Sequence, residues 1–565
     1  MTTSPQTQYA VQLVGPDELV LNKSREVFSP GRHQVLCKVE AVGLCFSDLK
    51  LLKQFSSHVR KSEIVSGIDP EALKEIPSYV PSQKPAVPGH EAVIRIQAVG
   101  PDVRNFKPGR RYLVQTDYRW LRTASSNAAF GYNFEGALQE YVLMDERIIT
   151  SPEGESMLIP VGENLSASAI ALVEPWACVE DAYASKERTK LKKDGRMLIV
   201  ADTKPAEGLF QNLFRRCGRP AQITWVSSYK PPEELANGTR SFASVSELAD
   251  YSFDDVIYFG SEPDTVEQLF AKIAAQGLLN IVFCGGRFGR DIVTPAGRVH
   301  YGGIRIIGCK DFDPAESMQA IPDSDEIRAG DKINVVGAAG PMGTMHVIRN
   351  ICRGIKGVSV FAGDIDDGRL AGLTKIAEPL AKKNDVVYRT YNPTQITTGR
   401  MPVVQQEGMA EKFDYIVLMA PVFDLVAASV HSCRQQGIIN IFAGIPATVT
   451  GEIDLDTYIE KQLYFVGTSG STLDDMKQVL TQVKTGRLDT NVSVAAVCGL
   501  DGAIEGIRAV EKRSIAGKII VYPHCKGLGL VRLEELEEKI PEAAAHLDKG
   551  LWTKQAEQKL LEKYS

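Results

Sequence analysis

The segment 333-INVVGAAGPMGTMHVIRNICRG-354 is the clearest indication of fold in this chain. A short apolar strand runs into a glycine-rich turn and then into an apolar helix, which is typical of a dinucleotide-binding βαβ unit. Gly340 and Gly343 take the second and third glycine positions of that fingerprint, and Ala338 takes the first, just after Gly337. Glycine lets the backbone approach a pyrophosphate, and the helix N-terminus offers free N–H groups.

A second apolar strand, 358-VSVFAG-363, ends at Asp364, about 20 residues after the last glycine of the turn. An acid at this spacing binds the ribose hydroxyls of the adenosine and repels the additional phosphate of NADP. The sequence therefore predicts NAD(H) rather than NADP(H). The predicted cofactor-binding residues are Gly337, Gly340, Pro341, Met342, Gly343 and Asp364, with Arg369 bordering the adenine side.

An internal repeat surrounds this segment. The stretch 253-FDDVIYFG-260 recurs as 413-FDYIVLMA-420, and 276-QGLLNIVFCGG-286 recurs as 436-QGIINIFAGIP-446, both at an offset of 160 residues. Repeats of this length indicate a duplicated structural unit. Short apolar strands alternate with amphipathic helical stretches in both copies, so we interpret them as two tandem α/β units with parallel sheets.

The first copy has lost the glycine turn. Its counterpart reads 202-DTKPAEG-208, in which Lys204 and Glu207 replace the second and third glycines. The acids of this turn would repel a phosphate. We therefore expect this unit to bind no dinucleotide, with the alternative that Lys204 binds another anion.

Composition excludes several classes of protein. Lys and Arg number 64 against 70 Asp and Glu, a net charge of −6, so the basic footprint of a nucleic-acid-binding protein is missing. No apolar run approaches the ~20 residues needed to span a bilayer, and the N-terminus lacks the apolar core of a signal peptide. The ten cysteines form no Cys-x-x-Cys pair. We expect a cytoplasmic chain with reduced thiols and with neither nucleic-acid nor membrane partners.

Five further motifs follow a characteristic order along the chain: 43-GLCFSDLK-50, 88-PGHE-91, 135-EGALQEYV-142, 173-VEPWA-177 and 517-GKIIVYP-523. Together with the glycine turn they resemble the medium-chain dehydrogenase/reductase superfamily, near the zinc-dependent alcohol and polyol dehydrogenases of the sorbitol dehydrogenase and sorbose-phosphate reductase type. The resemblance covers about residues 8–190 and 330–565. It leaves the first α/β copy as an insertion.

The resemblance implies an α/β fold class with a GroES-like β-barrel catalytic domain, here followed by two tandem Rossmann-like units that are doubly wound parallel sheets. The predicted boundaries are 1–192 for the first part of the catalytic domain, 193–310 for the degenerate Rossmann-like insertion, 311–330 for a linker, 331–470 for the NAD-binding Rossmann domain, and 471–565 for the return to the catalytic domain with C-terminal helices.

Catalytic zinc takes three protein ligands of N, S or O type and leaves one position open. Cys45 offers a thiolate, His90 an imidazole and Glu91 a carboxylate. The resemblance implies these three as ligands, with Glu174 either a further ligand or the partner of the zinc-bound water. The lobe near residues 112–130, which holds a structural zinc in many relatives, has no cysteine here. We therefore expect one catalytic zinc and no structural zinc.

Ser47 matches the family's relay hydroxyl, which passes the alcohol proton towards solvent, but Lys50 stands where many relatives have a histidine. Lys50, Arg60 and Lys61 are candidates to bind an anionic sugar; a solvated loop is the alternative. Tyr118 is a candidate for the pocket wall, with core packing as the alternative.

These observations predict a zinc-dependent oxidoreductase that transfers a hydride between NAD(H) and a polyol, sugar or sugar phosphate. Two alternatives stay open: an enzyme of the same fold that uses transient oxidation for a non-redox reaction, and a catalytically dead scaffold protein. Many relatives dimerise by joining Rossmann sheets edge to edge. We therefore expect either a homo-oligomer or a monomer in which the two Rossmann units form an internal pseudo-dimer.

Overall fold

The computed structural model describes residues 5–236, 238–394, 412–468 and 470–564. The chain divides into two compact units. The split unit consists of Met1–Cys178 and Ser471–Ser565, and the central unit is Val179–Gly470. Among the described helices, none has the length and apolar character that crossing a membrane requires.

The split unit is built on a mostly antiparallel sheet with the strand order β10-β6-β5-β3-β26-β25-β27, in which β9 also pairs with β3. Strands β1 and β2 form a hairpin, and β4, β7 and β8 form a small separate sheet. Because β26 pairs with β3, the last part of the chain completes the sheet that the first part begins. The strands are β1 (Thr7–Gly15), β2 (Glu18–Glu26), β3 (Gln34–Gly43), β4 (Ile64–Ser66), β5 (Glu91–Val99), β6 (Arg111–Val114), β7 (Asp117–Thr123), β8 (Asn127–Ala129), β9 (Tyr141–Asp145), β10 (Leu158–Val161), β25 (Val494–Cys498), β26 (Lys518–Val521) and β27 (Val531–Arg532).

The α-helices that begin in the split unit have four to twelve residues. They are Phe46–Gln54, Pro70–Lys74, Glu146–Ile149, Ala167–Ala171, Val173–Ala184, Leu473–Lys484, Leu500–Glu511, Leu536–Lys539, Pro541–Ala544 and Lys554–Tyr564. The last of them is anchored by Glu557, whose carboxylate accepts the N–H groups of Ala167 and Ser168. The charged C-terminal tail of the sequence is therefore part of the folded split unit.

The central unit holds two parallel six-stranded sheets with the same strand order, β13-β12-β11-β14-β15-β17 and β20-β19-β18-β21-β22-β24. The strands are β11 (Arg196–Ala201), β12 (Gln222–Val226), β13 (Arg240–Phe242), β14 (Phe253–Phe259), β15 (Ile273–Val282), β16 (Ile292–Thr294), β17 (Arg305–Cys309), β18 (Lys332–Val336), β19 (Ser359–Gly363), β20 (Val387–Tyr391), β21 (Phe413–Leu418), β22 (Cys433–Ile441), β23 (Gly451–Ile453) and β24 (Tyr464–Val466).

The helices of the central unit alternate with its parallel strands. They are Leu209–Cys217, Glu233–Ala236, Pro263–Lys272, Gly297–Gly302, Pro314–Gln319, Pro341–Cys352, Asp367–Asn384, Phe423–Ser432 and Leu455–Glu460. Strands β14 and β21 are almost wholly buried, as expected for a parallel sheet covered on both faces. Both carry a register shift directly after their first residue, Phe253 or Phe413. The sequence repeat thus corresponds to two copies of one sheet topology.

The segment 311–330, predicted as a linker, is partly structured. It contains the helix Pro314–Gln319, which packs on the first sheet. Asn280 on β15 donates its side-chain N–H to the Pro314 carbonyl and accepts the hydroxyl of Ser317. The predicted linker thus contains a helix that hydrogen-bonds to the first sheet.

A buried carboxyl pair, Glu187 and Asp325, lies in the central unit. Arg305 on β17 holds Glu187 through two hydrogen bonds of 2.8 Å, and the Tyr464 hydroxyl on β24 donates to the same carboxylate at 2.6 Å. Burial, and next the negative charge of Glu187, raise the pKa of Asp325 far above its ordinary value. Asp325 is therefore held protonated at neutral pH.

We expect Asp325→Asn to stabilise the protein at alkaline pH. An unfolded aspartate titrates near pH ~3.9. The folded state thus binds more protons above that pH, and stability falls as pH rises towards the elevated pKa. The amide cannot ionise, so the variant lacks this loss. The difference in free energy of unfolding, variant minus parent, should therefore be larger at pH 8 than at pH 5 by at least ~1 kcal/mol. Urea unfolding at both pH values measures this, with exposed Asp323→Asn as the control. A variant less stable than the parent at pH 8 would contradict the prediction.

Candidate functional site

Three side chains of the split unit converge on one point. Cys45, His90 and Glu91 offer ligand atoms that all lie within 4.8 Å of one another. Cys45 is the N-cap residue of the helix Phe46–Gln54, in extended conformation. His90 and Glu91 lie at the start of β5, after the turn at Gly89, whose φ of 96° favours glycine. The helix start and the strand start thus bring the two sequence motifs together.

Asp48 orients two of these three residues. Its Oδ1 lies 3.0 Å from His90 Nδ1, and its Oδ2 accepts the backbone N–H of Cys45 at 3.2 Å. A carboxylate on Nδ1 holds the imidazole in the tautomer that leaves Nε2 free to bind a metal, an arrangement typical of histidine ligands.

Glu91 provides the test of whether a metal fits here. Its Oε1 forms an ion pair with Lys518, whereas its Oε2 is buried without a hydrogen-bond partner among the described residues. A Cβ atom at position 43 would overlap this oxygen, so Gly43 makes room for it. A buried carboxylate oxygen without a partner is costly. The thiolate, imidazole and carboxylate are donors that zinc accepts, so the residues present fit the metal.

Glu174 lies at the first turn of the helix Val173–Ala184 and is buried. Its ligand atoms lie outside the group formed by the other three residues. Burial, and then the charge of Glu91, raise the pKa of Glu174, while His90 opposes this shift. Its role as a ligand or as the partner of a bound water stays a prediction.

The structure corrects the expectation that Lys61 faces a substrate. Its Nζ is fully buried and donates to the carbonyl groups of Val80 and Lys84, the second at 2.7 Å. Tyr118 is also buried, where its ring packs against Phe134 and Trp120, so it takes the core position that was its alternative.

Arg60 is the substrate candidate that the structure places beside the metal-ligand group. Its guanidinium pairs with Asp117 and lies over the ring of Tyr132, whose centroid is 5.7 Å from that of His90. Ser47 is half-buried, with its backbone N–H directed at Cys45 Sγ at 3.5 Å. Lys50 is exposed on the same helix.

Sequence reasoning missed Lys518 and Asp117. Lys518 belongs to the motif 517-GKIIVYP-523, which entered the argument only by its order in the chain. A lysine that opens a wholly buried strand was the available signal, because such a charge needs a buried partner. Its pKa is raised by Glu91, against the effect of burial, so it is charged.

In the central unit, the glycine turn is shaped as a dinucleotide requires. Gly337 has a φ of 82° and donates its N–H to the Gly363 carbonyl at 2.8 Å. A Cβ at Gly343 would lie 2.7 Å from the Ala338 carbonyl oxygen, so the helix packs too closely on the turn for any side chain. A Cβ at Gly340 would meet nothing nearer than 4.0 Å. The space beside Gly340 is thus open to a ligand.

The acid predicted to bind the ribose connects to this turn. Asp364 Oδ2 accepts the N–H of Ala339 at 2.9 Å, and its Oδ1 accepts that of Asp366 at 3.2 Å. Each carboxylate oxygen has a second lone pair, which can accept a ribose hydroxyl. Arg369 donates its N–H to Asp366 in the next turn. Pro341 is exposed and Met342 half-exposed at the helix start, which has no side-chain cap.

Two glycine variants separate packing from cofactor binding. Gly343→Ala is expected to cost ~1–3 kcal/mol of stability, because the turn must open to admit the methyl group. Gly340→Ala should leave stability unchanged and weaken NAD binding about tenfold or more, because its methyl stands where the pyrophosphate approaches the backbone. Urea unfolding and calorimetric NAD titration measure the two effects. Equal losses of stability would refute the distinction.

Comparison with known proteins identifies one domain of the chain and several relatives. Residues 31–153 match the alcohol dehydrogenase GroES-like domain family. The uncharacterized protein YggP of Escherichia coli K12 is 27% identical to this chain over 248 residues. Mannitol-1-phosphate 5-dehydrogenase of Aliivibrio fischeri is 26% identical over 249 residues. Each of these two matches covers 42% of this chain and 58% of the relative. L-sorbose 1-phosphate reductase of Klebsiella pneumoniae is 29% identical over 154 residues, which are 26% of this chain and 36% of the relative. The chain therefore spans little more than half the length of the first two relatives.

Among solved structures, 2R,3R-butanediol dehydrogenase of Bacillus subtilis has a TM-score of 0.52 at 16% identity, covering 92% of this chain and 100% of that one. This likeness concerns the fold. The resemblance drawn from the sequence motifs is confirmed at the level of domain and fold: residues 31–153 carry the GroES-like domain of alcohol dehydrogenases, and the chain shares the fold of a butanediol dehydrogenase.

Proposed function

From the GroES-like alcohol dehydrogenase domain at residues 31–153, we propose that this protein is a zinc- and NAD-dependent oxidoreductase that acts on a hydroxyl or ketone of a polyol, sugar or sugar phosphate. One observation carries the proposal. Cys45, His90 and Glu91 offer ligand atoms that lie within 4.8 Å of one another, and the carboxylate of Glu91 has a buried oxygen, Oε2, with no hydrogen-bond partner among the described residues. A group built only for stability would leave no such oxygen unsatisfied.

Cys45, His90 and Glu91 would hold the zinc, with Glu174 close by. When bound, zinc lowers the pKa of a substrate hydroxyl and polarises a carbonyl. Asp48 keeps the imidazole of His90 in its ligand orientation. Lys518 balances the charge of Glu91 in the buried interior. The hydroxyl of Ser47 is proposed to accept the proton that leaves the substrate, and hydride transfer is the chemistry of the nicotinamide.

Support for the cofactor comes from the open space at Gly340 and from Asp364, which disfavours a 2′-phosphate. Support for the substrate class comes from the names of the relatives, two of which act on sugar-alcohol or sugar phosphates. Arg60 lies beside the metal-ligand group and is proposed to contact a substrate oxygen, although Asp117 already neutralises much of its charge.

The decisive experiment combines metal analysis with a substrate screen of the purified protein. Polyols, sugars and sugar phosphates are incubated with NAD and with NADP, and reduced cofactor is followed by absorbance at 340 nm. We expect about one zinc per chain and stoichiometric accumulation of NADH with at least one substrate class. Turnover without NADH accumulation would favour transient oxidation in a non-redox reaction. Absence of both zinc and NAD binding would favour a scaffold protein.

A further inference from the structure

The two α/β units of the central unit contact each other through a two-stranded antiparallel sheet of β16 and β23. Val293 lies opposite Glu452 at its centre. Ile292 pairs with Ile453, and Thr294 pairs with Gly451. In this region residue n of the first unit corresponds to residue n + 159 of the second. If each residue is replaced by its equivalent in the other unit, the same pairs result. Val293 and Glu452 are equivalent to each other, and the pair of Ile292 with Ile453 becomes the pair of Gly451 with Thr294.

A second contact obeys the same exchange. A Cβ at Gly308 on β17 would lie 2.9 Å from the side chain of Ile459. A Cβ at Gly467, after β24, would lie 3.0 Å from the backbone of His300. Gly308 corresponds to Gly467, and His300 corresponds to Ile459, at the same offset of 159. Each unit thus presses the equivalent short helix against the equivalent glycine of the other.

A third contact involves the equivalent residues Gly297 and Asp456, each near the start of a short helix that meets the other unit. Gly297 begins a helix of the first unit against the Ile445 carbonyl of the second, where a Cβ would lie 2.7 Å away. Its equivalent in the second unit, Asp456, accepts the N–H groups of Phe288 and Gly289 in the first unit, both at 2.8 Å. Apolar side chains of both units form one continuous core around these contacts.

The nucleotide turn of the first unit has not been kept in the same way. Glu207 stands at the position of the closely packed Gly343. The hydroxyl of Tyr258, at the end of β14, donates to Asp202 in the turn at 2.6 Å and accepts the N–H of Glu262. The equivalent of Tyr258 in the second unit is Leu418, which has no such polar group. The first unit has retained the contact face and replaced the ligand turn.

We infer that the first α/β unit is a built-in partner subunit: it occupies the place that a second copy of the NAD-binding unit would occupy across a two-fold axis. In a two-fold dimer, whenever residue i of one subunit contacts residue j of the other, residue j of the first also contacts residue i of the second; such an interface is called isologous. This reciprocity has no reason to arise between unrelated domains. It follows that this face of the second unit is covered within one chain. A second chain cannot dock there, and each chain carries one dinucleotide turn.

Cysteine cross-linking across the pseudo-two-fold axis tests this inference. In Val293→Cys/Glu452→Cys, the two side chains stand directly opposite on antiparallel strands, where Cβ atoms lie ~4.5–5.5 Å apart. A short bis-thiol reagent should join them within one chain, as shown by a linked peptide pair and by the mass of a single chain in denaturing mass spectrometry. The parent protein, treated identically, controls for the ten native cysteines.

The single variant Glu452→Cys distinguishes the inference from ordinary dimerisation. If the second unit paired with its own copy, the two-fold axis would bring residue 452 of two chains together, and the single variant would give covalent dimers. We expect no cross-linked dimer from this variant. Covalent dimers through Cys at 452, or failure of the double variant to link within one chain, would overturn the inference. NAD titration of both variants checks that the second unit is still folded.

Discussion

Cys45→Ala is expected to abolish zinc binding and to lower kcat/KM by at least ~1000-fold, well beyond the roughly 10–100-fold that loss of an outer ligand partner causes. The thiolate would supply one of the three proposed ligands in a compact group, and the other two are held in place by separate partners, Asp48 for His90 and Lys518 for Glu91. Neither can move to replace the sulfur without breaking a buried interaction. Zinc content by plasma mass spectrometry and NADH production measure the two effects.

The matched control for this prediction is Cys284→Ala. Cys284 is also a half-buried thiol, but it lies two residues after the end of β15 in the central unit. Its loss should leave zinc content and turnover unchanged. The metal assignment fails if Cys45→Ala retains a full complement of zinc, or if both variants lose it equally.

Lys518→Met is expected to destabilise the protein by ~3–5 kcal/mol, because it leaves the carboxylate of Glu91 buried without its counter-charge. Both members of this pair are almost completely buried, with side-chain exposures of 5% for Lys518 and 0% for Glu91. A bound zinc would compensate part of the charge, so the loss should be larger after chelation than before it. Urea unfolding with and without chelator measures both values.

Lys477→Met provides the control, because Lys477 pairs with Glu155 at the surface, with side-chain exposures of 48% and 53%. An exposed pair contributes ~0–1 kcal/mol, so this variant should be nearly neutral. If Lys518→Met were equally neutral, Glu91 would not depend on Lys518 for its charge, and the proposed electrostatic balance of the metal group would be wrong.

The order of the motifs correctly predicted that Cys45, His90 and Glu91 come together. Each of these residues lies at the beginning of a helix or strand that its own motif defines. The same reasoning failed for Lys61. Its basic side chain in a polar segment predicted contact with a substrate or solvent, whereas two backbone carbonyls bind it in the interior. Sequence pattern cannot tell a buried lysine from an exposed one when its partners are carbonyl groups, which every residue type has.

Local chemistry in the sequence determined the glycine turn, the acid after the second strand and the repeat of the α/β units, because these depend on backbone conformation and on strand and helix periodicity within short segments. Tertiary structure alone decided what depends on distant packing. Lys518 meets Glu91 across 427 residues of chain. The elevated pKa of Asp325 and the reciprocal contacts of β16 with β23 likewise arise only once separated segments are brought together. Burial and charge pairing are properties of the folded surroundings, and residue order does not encode them locally.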